Sequence, residues 1–119
     1  MNLSNLDFQQ ARIKQVLFKS RLRSVLYGVR EADAALFSVR DSPLGHWLET
    51  VIKPHMHASP EVSEMERLLS ATLQTGRNLV TQYQRGQIEE ARQGLEQIEA
   101  QAQQLETVLS RMERTYLAA

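Results

Sequence analysis

The sequence predicts an all-α fold: an antiparallel four-helix bundle of three long helices and one short second helix, in one domain over residues 1–119. Three observations predict it. Apolar residues recur at alternating spacings of three and four over long stretches, the pattern that lines one face of a helix. Ser42-Pro43 and Ser59-Pro60 restart the chain as helix caps, each with proline at the first helical position, where its missing N–H costs nothing. Three long stretches and one short one, joined by short loops, bury their stripes most simply as a bundle.

The first helix begins at Ser4, where Asp7 three positions on completes a capping box. Phe8, Ala11, Gln15, Phe18, Leu22, Val25 and Val29 form its stripe, and Gly28 with Arg30-Glu31 marks its end near Val29. Gln15 is the polar residue in that stripe: a buried amide lacking partners costs about 1–3 kcal/mol. Arg12, Lys14, Lys19, Arg21 and Arg23 lie on the outer face, read either as a solvated face or as a docking surface for an acidic partner.

Residues 31–41 are compatible with a further helical turn or an extended segment. The second helix, PLGHWLETVIK, presents Leu44, Trp47, Leu48, Val51 and Ile52 on one face and is expected to stop before Pro54. The third runs from about Pro60 to Tyr83, with Val62, Met65, Leu69, Thr72, Gly76, Leu79 and Tyr83 as its seam, widened by Leu68, Leu73 and Val80. The fourth starts after Gly86 and keeps an unbroken register from Ile88 through Ala91, Leu95, Ile98, Ala102, Leu105, Leu109 and Met112 to Tyr116. That seam is long enough to pair with a second copy as well, so a homodimer is a live expectation.

Composition limits the function. Apolar residues are 42% and charged residues 24%, ordinary for a soluble domain. The 14 basic and 14 acidic residues cancel, but residues 1–60 carry eight Lys/Arg against five Asp/Glu and residues 61–119 six against nine. Halves of +3 and −3 suit two parts of one bundle and argue against nucleic-acid binding. There is no cysteine, so disulfides and thiolate metal sites are excluded. No apolar run approaches the roughly 18–20 residues of a membrane span, and the N-terminus lacks the features of a signal peptide; the expected location is cytoplasmic.

Chemistry-bearing patterns are sparse. His46, His55 and His57 are the three histidines, but His-x-His in a Pro-flanked loop with no Asp, Glu or Cys beside it reads as surface histidine rather than a zinc site. There is no nucleophile–base–orienter set, no Gly-rich phosphate loop and no Glu-x-x-His pair for a di-iron bundle. The chain is expected to be no enzyme and to carry no cofactor.

Two local patterns resemble a family. Ala11 to Leu22, ARIKQVLFKSRL, resembles the first helix of the chemoreceptor zinc-binding (CZB) domains, roughly A-x-I-x-H-hydrophobic-x-[FW]-K-x-x-[LI], with Phe18 and Leu22 at its aromatic and last apolar positions. Ser42 to Leu48, SPLGHWL, resembles the family's C-x-L-G-x-W, with Leu44, Gly45 and Trp47 in place. MERLL at 65–69 stands where the family has L-E-x-x-H, followed by a second His four residues on. The resemblance spans most of residues 6–83.

Carried over, the family's zinc ligands fall at Gln15, Ser42, Leu69 and Leu73, none of which keeps the ligand. An amide and a hydroxyl are poor zinc ligands and a leucine is none. The resemblance therefore implies a metal-free bundle, stabilised by burying two leucines at roughly 1.5–3 kcal/mol each. Gln15 and Ser42 are expected to hydrogen-bond, and all four positions to converge. It further implies a non-enzymatic bacterial signalling module that dimerises or docks onto a protein partner, in a chemoreceptor (chemotaxis) or diguanylate cyclase pathway. A chain without an output domain is expected to act in trans or as part of a longer protein. The alternative is a small-molecule sensor, with a ligand in the vacated site near Gln15, Ser42, Trp47 and Leu69.

Overall fold

The computed structural model describes residues 3–56 and 59–118, and these form an all-helical bundle without strands. α1 spans Asn5–Leu26. The Asp7 carboxylate accepts from the Ser4 backbone N–H at 2.8 Å and from its hydroxyl at 3.3 Å, so the serine entry forms as the sequence suggests. The helix ends three residues earlier than expected. Gly28, at φ +75°, turns the chain left-handed, while its N–H and that of Val29 close back on the carbonyls of Val25 and Ser24. Val29 therefore leaves the stripe and stands in solvent. Gly86, at φ +87°, closes the third helical stretch in the same way.

Residues 31–41 are neither a full helix nor a strand. A 3-10 turn over Ala34–Phe37, capped by Asp33, buries Leu36 and Phe37. Phe37 meets Phe18 edge to face at 6.4 Å, tying the connection to the core.

The second helical stretch continues through Pro54, contrary to the expected stop. α2 (Pro43–Trp47) passes into a π turn over Leu48–Ile52 and on into α3 (Lys53–Met56). The Lys53 N–H reaches back five residues to the Leu48 carbonyl. A proline ring clashes with the carbonyl four residues earlier in a regular helix, and a widened turn just before it opens that space.

α4 covers Pro60–Gln84, with the Ser59 hydroxyl accepting from the Glu61 N–H at 3.2 Å. The fourth stretch, expected to be continuous, is divided into α5 (Ile88–Gln93) and α6 (Leu95–Ala118). The break falls at Gly94, where a Cβ would collide with the Leu79 side chain of α4. Leu79 packs into the space that the glycine leaves, and the helix tightens around it.

The stripes are buried as a single core. Phe8, Leu22, Ile52, Met65, Leu73, Leu109 and Met112 are among the fully enclosed side chains. The seam of α5 and α6 is largely consumed by α4 and α1, with Ala91, Ile98, Leu105, Leu109 and Met112 enclosed within this chain. The bundle is elongated, 50 × 21 × 21 Å.

Candidate functional site

The charge asymmetry of the chain is realised between its ends. Arg12 on α1 donates to Glu106 and Glu113 on α6, both at 2.9 Å, and to the Ser110 hydroxyl at 3.3 Å. Lys19 reaches Glu99 at 3.3 Å, and Arg111 reaches Glu64 at 3.2 Å. Burial lowers the Arg12 pKa, but Glu113 and Glu106 more than reverse it, and the guanidinium ends above its ordinary range. Arg12 and Lys19 are therefore committed to the bundle rather than to a solvated outer face. Arg92 donates to the Leu26 carbonyl at 2.9 Å, and its guanidinium and that of Arg23 lie 4.2 and 5.3 Å from the Tyr27 ring centre.

The Leu-Gly-x-Trp segment has a structural role. Leu44 and Trp47 are buried, and the Trp47 indole N–H donates to the Asp7 carbonyl at 2.8 Å while its ring meets Phe8 at 5.9 Å. A Cβ on Gly45 would overlap the backbone carbonyl of Val39, so only glycine lets α2 approach the preceding chain this closely. Phe18 and Leu22 point into the same core.

Gln15 from α1, Ser42 from the α2 cap and Leu69 and Leu73 from α4 all border one small cavity, together with Phe18 and Leu44 and closed by Ile98, Ala102 and Leu105 of α6. The cavity measures about 20 Å³. That is room for about one water molecule, which needs roughly 10–15 Å³. Two details differ from expectation. Gln15 is half-buried rather than enclosed. The hydrogen bond expected between Gln15 and Ser42 does not form; the Ser42 hydroxyl instead accepts from the Gly45 N–H at 3.3 Å as the cap of α2. Thr72, which also borders the cavity, directs its hydroxyl to the Leu68 carbonyl at 2.7 Å.

These residues do not fit a zinc ion. The donors around the cavity are an amide, two hydroxyls spent on backbone partners and Lys19, with leucines at the remaining two positions. Among the described residues no three His, Cys, Asp or Glu side chains gather as a metal cluster. His46 is exposed and the His55 ring nitrogen stands 3.1 Å from the Val51 carbonyl, while His57 lies outside the described residues.

Sequence reasoning missed the constraint at Gly45 and the notch at Gly94; an isolated glycine within a helical pattern was the available signal for both. No helix among the described residues is long and apolar enough to cross a membrane. Compared with family models, curated proteins and solved structures, the chain gives no match.

Proposed function

We propose that the chain is a non-enzymatic bacterial interaction module: a metal-free, CZB-like antiparallel four-helix bundle that docks onto a signal-transduction protein in the cytoplasm. The observation that carries this reading is the common cavity. Gln15, Ser42, Leu69 and Leu73, far apart in sequence, border the same 20 Å³ space, and none offers a good metal donor. The antiparallel arrangement is supported by pairings that run in opposite senses: Arg12 with Glu113, Lys19 with Glu99 and Arg92 with Leu26, then Glu64 with Arg111 and Thr75 with Gln101.

The alternative, a small-molecule sensor using the vacated site, is opposed by size. Ligand pockets run to about 300–1,000 Å³, and this space of about 20 Å³ is hemmed in by leucine, isoleucine and phenylalanine side chains. Homodimerisation through the long seam of α5 and α6 loses its main support, because most of that seam is enclosed within the chain. Partners in a chemoreceptor or diguanylate cyclase pathway remain the reading that the CZB resemblance favours.

Elemental analysis of the purified chain tests the metal-free part. Zinc well below one equivalent after dialysis is expected. One equivalent that survives dialysis and disappears on replacing His55 and His57 would sink the proposal.

A further inference from the structure

The first helix carries a second apolar stripe that the bundle does not use. Leu6, Ile13 and Val16 are 74%, 57% and 61% exposed. Ile13 follows Leu6 by seven residues and precedes Val16 by three, so the three share the face opposite the buried stripe. Half-buried Leu17 borders them. Exposed apolar residues scattered singly mean little; three on one helix face, two of them (Ile13 and Val16) a single turn apart, form a candidate contact surface.

The charge around this stripe is one-sided. Phe8 to Arg30 contains six Lys/Arg and no Asp or Glu. Arg12 and Lys19 are consumed by acids of α6, but Lys14, Arg21 and Arg23 enter no ion pair among the described residues. Beside Val16 an open groove of about 510 Å³ runs between α1 and the α5–α6 stretch, with Lys19, Arg23 and Tyr27 on the α1 wall and Arg92, Glu96 and Glu99 on the other.

We infer that this outer face of α1 is the docking surface for an acidic amphipathic helix of a partner protein, an inference that rests on the interaction-module reading. Apolar side chains of the partner helix cover Leu6, Ile13 and Val16, and its acidic edge faces Lys14 and Arg21. A second copy of this chain fits the surface badly. A two-fold contact through α1 brings two helices together whose residues 8–30 carry six Lys/Arg and no Asp or Glu, and faces of like charge repel. A flat bilayer fits badly too, because it would leave the groove beside Val16 unfilled.

The test uses the full chain and a synthetic helix with leucine at heptad positions a and d, glutamate along one flank (position e) and neutral glutamine along the other (position g). The same helix with lysine for glutamate, and vesicles of anionic or neutral lipid, are the controls. The glutamate helix is expected to bind at least ~10-fold more tightly than the lysine helix and to weaken as salt is added. The double variant K14E/R21E is expected to reverse that preference, and I13D/V16D to abolish binding, with helicity unchanged by circular dichroism. Equal affinity for both helices, no reversal in K14E/R21E, or binding to anionic vesicles in place of the helix would overturn the inference. Capture from the native cells separates this failure from that of the underlying reading. A partner retained equally by wild type and K14E/R21E refutes the α1 surface alone; no partner retained by either chain refutes the interaction module itself.

Discussion

The indole N–H of Trp47 donates to the backbone carbonyl of Asp7 at 2.8 Å, joining the short second helical stretch to the first turn of α1. The same carboxyl-bearing residue closes the cap of α1 through its side chain. One residue therefore caps the start of α1 and anchors α2. Trp47→Phe retains most of the buried ring and removes the donor, leaving the Asp7 carbonyl without that partner. A loss of about 1 kcal/mol is expected in denaturant unfolding, with an unchanged m-value. No loss would mean that the bond contributes nothing beyond packing.

Gly45→Ala introduces a methyl group into the Val39 carbonyl. Backbone cannot swing aside as a flexible side chain can, so a cost at the upper end of the usual 1–3 kcal/mol for overpacking is expected. Gly86→Ala is the informative comparison. Its Cβ would meet nothing within 4 Å, and only its φ of +87° opposes the substitution. The expected penalty there is about 1 kcal/mol, so thermal unfolding should rank the Gly45 variant as the less stable of the two.

Replacing Leu73 by alanine tests whether the cavity residues act as core. Leu73 is fully enclosed and already borders an imperfectly filled space. A loss of about 2–5 kcal/mol is expected. A cost under 1 kcal/mol would indicate that the site collapses freely and is not the packed centre described above.

The pH dependence of folding should be slight on the alkaline side of the carboxylate range and visible below it. The Ser59 hydroxyl and its own backbone N–H hold the Glu61 carboxyl below its ordinary value of 4.5, and Lys53 does the same for Glu49. A depressed native pKa contributes stability that is fully present above 4.5 and lost as pH falls through the native value. Melting temperature should therefore hold from neutral pH to about 4.5 and then fall, with Glu61→Gln reducing the slope of that fall. Glu49 is exposed and Glu61 only partly buried, so the effect is small.

Most of the fold was legible because each stripe repeats a local pattern several times. Val62, Met65, Leu69 and Leu73 identify a buried face whatever they pack against, and the two Ser-Pro starts carry their mechanism in the residues themselves. The exceptions arise from long-range contacts. Pro54 reads as a stop until a π turn accommodates it, and the division of the last helical stretch at Gly94, where Leu79 of another helix packs, leaves its buried stripe intact. That Gln15, Ser42, Leu69 and Leu73 border one cavity is a product of tertiary packing that no local pattern spells out, and the hydrogen bond expected between Gln15 and Ser42 does not form. The Ser42 hydroxyl is needed by the Gly45 N–H, and helix capping won that competition.

Zinc binding by the quadruple variant Q15H/S42C/L69H/L73H is the most direct test of the central claim that this core stands where a CZB-like bundle would hold its metal. The measurement is zinc titration of variant and wild type under identical conditions, with helicity followed by circular dichroism. One tightly held zinc per variant chain and none per wild-type chain is the expected result. A helical variant that takes up no zinc, or a wild-type chain that binds as much as the variant, would contradict it.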